Sequence, residues 1–131
     1  MSNHTRYMRL AKKISSEGVS YSHSKKVGAC IVFDDKSISC AANNVMKSHP
    51  VVSNLDPNRF LHAEIAAALR KRWVFKNSIP GGAVYVYREF QSGLPALAKP
   101  CEMCEKFLKH IGIRKFVYTI SEFPFYKVEK V

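Results

Sequence analysis

Pro100-Cys101-Glu102-Met103-Cys104 places two cysteines three residues apart, directly after a proline. Proline is tolerated at the first helical position, where its missing N–H would be unpaired anyway, so the run predicts a helix start. Residues i and i+3 share a helix face, so both sulfurs can reach one point. The amide dipoles at a helix N-terminus favour the thiolate form. Such a pair suits a soft cation and calls for a third ligand. His62-Ala63-Glu64 supplies an imidazole and, beside it, a carboxylate. His62, Cys101 and Cys104 have the softness that zinc selects. No fourth ligand stands at a matched spacing: Cys30 and Cys40 lie in apolar stretches, and His49 and His110 stand alone. Three protein ligands plus a water is the catalytic pattern, whereas a structural site is closed by four. Zinc lowers the pKa of such a water to about 7. Glu64 is then the natural carrier of protons from that water to a leaving group. One condition applies: residues i and i+2 diverge on a regular helix, so His62 and Glu64 can serve one site only at the helix's first turn.

The rest of the chain must position these groups. Residues 3 to about 17 read as an amphipathic helix, with Tyr7, Leu10, Ala11 and Ile14 at i, i+3, i+4 and i+7. Arg6, Arg9, Lys12 and Lys13 fall largely off that stripe, and Gly18 is the predicted stop. The apolar run Val27 to Phe33 predicts a strand buried on both faces. Asp34-Asp35-Lys36 is a tight turn, and Ser37 to Asn43 returns as the second strand of a hairpin. Val45 to Arg59 reads as a loop of a length that is usually functional. Phe60 to Trp73 is an alanine-rich helix. Ala83 to Tyr87 is a third strand, and Arg88 to Lys99 a second irregular stretch. The cysteine helix follows, with Phe107, Leu108 and Ile111 inward and Gly112 as its stop. Lys115 to Ile120 and Phe125 to Val131 are the last strands. This order predicts one mixed sheet with helices on its faces, the two motif helices side by side on one face. A parallel pair needs a connection of about a dozen residues or more, so the last strand must run antiparallel to the fourth.

The 131 residues suit one domain, 1–131, and at 47% hydrophobic the chain can build a core without staples. No apolar run of about 18 residues predicts a membrane span. Met1-Ser2-Asn3-His4-Thr5-Arg6 lacks the apolar core of a signal peptide. The expectation is a cytoplasmic or nuclear protein, not secreted and without a membrane partner. In a reducing compartment no disulfide scaffold is expected, and Cys30 and Cys40 read as buried thiols. The formal charge of +11 favours a phosphate-bearing partner, although it serves solubility equally.

His-x-Glu followed by Pro-Cys-x-x-Cys on a later helix resembles the zinc-dependent cytidine deaminase superfamily. The resemblance runs from about Lys26 to Ile120 and includes the Val27-Gly28-Ala29 strand, the Asn43 ending the second strand, and the order of elements. It implies an α/β fold: a three-layer α/β/α sandwich, cytidine deaminase-like, on a five-stranded mixed sheet. It implies one Zn2+ per chain and hydrolytic conversion of cytosine to uracil. In that reading His62, Cys101 and Cys104 bind zinc, and Glu64 shuttles protons and hydrogen-bonds the ring nitrogen beside the attacked carbon. The Ala63 backbone N–H and the Asn43 side chain hold the base, the backbone around Pro100 and Cys101 contacts the attacked carbon's substituents, and Val27 walls the pocket. A homo-oligomer is implied as well. Many members run from the third strand almost directly into Pro-Cys. The Arg88 to Lys99 insertion departs from them and resembles a group of deaminase-like proteins carrying Arg, then Gly, then Lys or Arg-Pro-Cys.

The substrate stays open at this point: a cytosine-containing nucleoside or nucleotide, cytosine in single-stranded DNA or RNA, or adenine in RNA. From another class comes a non-catalytic, zinc-stabilised nucleic-acid-binding module. Glu64 discriminates, since a structural zinc has no use for a carboxylate beside its ligand. Lys25 and Lys26 precede the first strand, Lys47 and Arg59 flank the long loop, and Arg88 and Lys99 bracket the insertion. These are candidate phosphate contacts. A monophosphate needs one or two cations and a strand needs a track, and three basic loops read as a track.

Overall fold

The computed structural model of the protein describes residues 3–18, 26–43, 62–70 and 81–130. The loop at 45–59 with Lys47 and Arg59, and also Lys25, His23, His49 and Trp73, lie outside the described residues. The elements run α1 (Asn3–Ser15), β1 (Val27–Phe33), β2 (Ile38–Ala42), α2 (Ala63–Leu69), β3 (Gly82–Arg88), α3 (Glu102–His110), β4 (Ile113–Thr119) and β5 (Tyr126–Lys130).

One mixed sheet has the order β2-β1-β3-β4-β5. β1 and β2 form the expected hairpin, with Cys30 opposite Cys40. β1 is also antiparallel to β3, placing Val27 opposite Arg88. β3 and β4 are parallel, joined through α3, and β5 returns antiparallel to β4 after a short turn. Only α3 offers a crossover long enough for the parallel pair.

Alternation along the strands sorts the core into two layers. Ala29, Ile31, Phe33, Val84, Val86 and Phe116 pack with Ala63, Ala67 and Ala68 of α2 and Leu108 of α3. Cys30, Tyr85, Tyr87 and Val117 pack with Ala11 of α1 on the other face. That is why β1 reads as continuously apolar: helices cover it on both sides. α1 comes so close that a Cβ on Gly28 would lie 2.6 Å from the Ser15 backbone nitrogen, and closer still to the Ala11 carbonyl oxygen. The β1 glycine thus sets the depth at which α1 seats. Among the described residues no helix is long and apolar enough to cross a membrane.

Several strand ends differ from the sequence reading by a residue or two, and the two differences at helix ends have local reasons. α3 begins at Glu102, with Cys101 as its N-cap and Pro100 one residue further out. Cys101 takes an extended backbone (ψ 166°), which lets its sulfur turn towards Cys104 and His62. Gly18 does not take the left-handed conformation of a helix-stop glycine. Its role is space, since a Cβ there would lie 2.6 Å from the Asn43 side-chain oxygen. Gly112, at φ +100°, is the left-handed stop expected after α3. The 88–99 insertion is ordered by its own hydrogen bonds. Phe90 N–H donates to Leu94 O at 2.8 Å and Ala96 N–H to Arg88 O at 2.9 Å. Buried Thr119 fastens the insertion to β4, its hydroxyl donating to Ala96 O at 2.6 Å.

Candidate metal centre and active site

α2 and α3 pack side by side with their N-termini converging. His62 is the N-cap of α2, extended at φ −80° and ψ 152°, and Ala63 is the first helical residue. This meets the condition that spacing imposed. His62 has not yet joined the helix, so its ring and the Glu64 carboxyl can both reach Cys104. His62 Nδ1 lies 3.6 Å from Cys101 Sγ and 3.2 Å from Cys104 Sγ. The three donor atoms all lie within 4.8 Å of one another, and no fourth ligating side chain joins them among the described residues. Tetrahedral zinc with Zn–S near 2.3 Å and Zn–N near 2.0–2.1 Å spaces its ligand atoms by about 3.5–3.8 Å. The set therefore fits one zinc ion with small adjustment. Ile65 and Cys104 are fully buried, and Leu69, Met103 and Phe107 complete an apolar floor between the helices.

The electrostatics follow from that burial. Cys101 is pulled down to about 3, first by its hydrogen bond from Cys104 and then by His62, against the penalty of burial. Cys104 is pushed up by the same bond, by burial and by the Glu64 charge. Glu64 is 5% exposed, and burial pushes its carboxyl up, opposed by its own backbone N–H and by His62. A carboxyl raised in this way is suited to hold and release a proton near neutrality.

The other expected residues are placed as follows. Ala63 is fully buried at the head of α2. First-turn amides have no intrahelical acceptor, so its N–H is oriented for an outside oxygen. Pro100 is buried directly before Cys101. Val27 packs on the zinc-side core. Its N–H donates to Asn43 Oδ1 at 2.8 Å, and Asn43 N–H donates back to Val27 O at 3.1 Å. Asn43 and Val27 therefore fix each other at the open end of the hairpin. Arg88 lies opposite Val27 and shares the strand face of Val84 and Val86, the side of α2 and α3. Its Nε is buried without a hydrogen-bond partner among the described residues.

Two basic candidates are directed elsewhere. Lys26 lines a cleft with Arg9, Lys12, Lys13 and Glu89, on the α1 side of the sheet. Lys99 pairs with Glu129 at 3.6 Å. Among the described members of the expected basic track, Lys26 lies across the sheet, whereas Arg88 and Lys99 are on the zinc side, Lys99 held by Glu129, which stands opposite Phe116. Thr119 escaped the sequence reading, because its partner Ala96 is distant in sequence and no local pattern marks the pair. The cations of α1 were visible at helical spacing but carried no sign of what they face.

Residues 1–120 match the family model of the cytidine and deoxycytidylate deaminase zinc-binding region. Among solved structures the chain is similar to the cytidine deaminase of Burkholderia pseudomallei, at 18% identity over 99% of this chain and 93% of that one, with a TM-score of 0.67. It is similar to the cytidine deaminase of Mycobacterium leprae at 13% identity, covering 98% and 94%, TM-score 0.60. For that of Mycobacterium tuberculosis the figures are 15% identity, 90% and 85%, TM-score 0.59. At such identities the likeness is one of fold. No curated protein sequence matches the chain.

Proposed function

The chain belongs to the cytidine and deoxycytidylate deaminase family, whose zinc-binding region its residues 1–120 match, and from that premise we propose that it hydrolyses the exocyclic amine of cytosine, consuming water and releasing uracil and ammonia. The observation that carries this reading is Glu64, a buried carboxyl hydrogen-bonded to Cys104 beside the ligand set. Burying an acid is costly, and a purely structural zinc gains nothing from it.

His62 Nδ1 and the sulfurs of Cys101 and Cys104 would hold the metal. Zinc, when bound, supplies a water of pKa about 7, a nucleophile at neutral pH. Glu64 would accept a proton from the attacking water and pass it to the ring nitrogen beside the attacked carbon, then take the second proton from the new hydroxyl on that carbon and deliver it to the amine, which departs as ammonia. The Ala63 N–H fixes the base, Pro100 and the backbone at Cys101 border the leaving group, and Val27 with Asn43 walls the pocket. Ile65, Leu69 and Phe107 keep bulk water from below.

The substrate carries phosphate. Arg88 supports this: its buried guanidinium N–H has no acceptor among the described residues, and a phosphate oxygen would supply one. Cytosine nucleotides and cytosine in single strands both meet that requirement. The test is a panel of cytidine, deoxycytidine, their monophosphates, single-stranded DNA and tRNA, read by mass spectrometry for the one-dalton gain of amine to hydroxyl. Zinc-loaded protein that converts no cytosine substrate overturns the proposal.

A further inference from the structure

We propose that α1 and the β4–β5 turn form a groove that binds single-stranded nucleic acid on the sheet face opposite the zinc ligands. The proposal rests on the deaminase reading only in assigning that strand as substrate.

Two clefts meet on this face. The first, about 530 Å³, is lined by Arg9, Lys12, Lys13, Lys26 and Glu89 together with Ser15 and Ser16. The second, about 260 Å³, is lined among others by Met8, Pro95, Pro124, Phe125 and Tyr126, and shares Arg9 and Lys12 with the first. Arg9, Lys13 and Lys26 form no ion pair among the described residues. Glu89, the one carboxylate there, accepts a hydrogen bond from Tyr87 at 2.6 Å. The Ser15 and Ser16 hydroxyls are committed to the Lys12 and Lys13 carbonyls, at 2.6 and 2.9 Å. Anion binding therefore falls to the Arg9 guanidinium and the flexible lysine ammonium groups. Those suit a run of phosphates better than one oriented phosphate.

The second cleft adds what bases need. Phe125, which lines it, is 40% exposed, and Phe123, outside the lining and 85% exposed, meets the Phe125 ring edge to face at 5.9 Å. Cations beside exposed aromatic faces are the elements of single-strand binding, with phosphates on the charges and bases stacked on the rings. A duplex hides its base faces from such rings. The helix dipole accounts for Lys12 and Lys13 in the last turn of α1, but not for Arg9, Lys26 or the rings. One end of the groove adjoins the zinc side, because Lys26 and Glu89 directly flank the Val27–Arg88 pair at the sheet end. A strand leaving the groove there turns over that end towards Arg88.

The test is fluorescence anisotropy of a labelled oligodeoxycytidine of about 12 nucleotides, a length within single-strand site sizes. It uses zinc-loaded Glu64→Gln protein, so that the probe is not consumed. Each phosphate contacted on a single strand contributes about −0.7 to the slope of log affinity against log salt. Four contacts give a slope near −2.8 and roughly a 50-fold loss of affinity between about 50 and 200 mM salt. Arg9→Gln/Lys13→Gln should make the slope shallower by about 1.4, and Arg9→Gln alone by about 0.7. Phe123→Ala/Phe125→Ala should weaken binding about 5-fold or more per stacked base while leaving the slope unchanged. A wild-type slope in both charge variants overturns the groove. So does binding to phosphatidylserine vesicles in place of the oligonucleotide. Turnover of deoxycytidine monophosphate by wild-type protein that binds no oligonucleotide overturns the groove alone. Groove-dependent binding without deamination of any substrate overturns the catalytic reading alone.

Discussion

Glu64 is placed where water hardly reaches, and the charged form of a carboxyl is penalised there. In the proposed mechanism its use is the proton, and its replacement separates metal binding from chemistry. Glu64→Gln keeps the size of the side chain and leaves all three ligands in place. Zinc measured by elemental analysis should stay near equimolar while turnover falls by a factor of about 10² to 10⁴. Full turnover in that variant would refute the assignment. Cys104→Ala should act differently. It removes a ligand and a buried sulfur that packs with Ile65, so zinc and thermal stability should fall together. The four residues of the candidate site, which the structure brings together, were legible because ligand chemistry restricts residue type and a metal shared by two helix starts would restrict their spacing. Thr119 was not, since its hydrogen bond to Ala96 joins segments far apart in the chain. Asn43 was legible as the end of a strand, but not its mutual bonding with Val27, which depends on the hairpin register.

At the scale of elements, hydrophobic period and turn residues located every described helix and strand in order, while the ends of α3 and of the strands moved by a residue or two. Those ends depend on contacts that the period does not encode, such as the extended Cys101 cap. Depth of packing was equally hidden. Gly28 looked like one residue of an apolar run, yet the backbone of α1 rests on it at Ala11 and Ser15. Both neighbours are backbone atoms on a helix that cannot yield by a rotamer change. Gly28→Ala should therefore force α1 away from β1 and destabilise the protein by about 1–3 kcal/mol, as overpacking does. Chemical denaturation measures this, and an unchanged midpoint would show that α1 is not seated as described. A second element-scale test concerns the end of β3. If the substrate carries phosphate as proposed, Arg88→Gln should reduce turnover of a cytosine nucleotide more than that of the unphosphorylated nucleoside, read as kcat/KM for each, because the nucleotide offers an acceptor that Arg88 Nε lacks among the described residues.

Over the whole molecule, an excess of positive charge leaves few carboxylates, so each one that is paired matters. Glu129 ties three parts together. It accepts a hydrogen bond from Tyr118 of β4 at 2.7 Å, lies 3.6 Å from Lys99 at the end of the insertion, and lies 3.6 Å from Lys127 on its own strand. Its carboxyl is held below the usual range, first by the Tyr118 hydroxyl and then, against the cost of burial, by the two lysines. Tyr118 moves the other way, pushed up to about 12 by burial and then by Glu129, so it remains a donor at neutral pH. A carboxyl whose folded pKa is depressed contributes stability above its unfolded pKa of about 4.3, and that stability is lost as pH falls through the folded value. Wild-type protein should therefore melt a few degrees above Glu129→Gln at pH 7, the scale of shift that one such interaction produces. The gap should close below about pH 4 as the carboxyl is protonated. Zinc is lost in acid from both proteins alike, so the difference between their melting temperatures isolates Glu129. A gap that stays constant from pH 7 into acid would mean that the charge of Glu129 does not hold β5 and the insertion to β4.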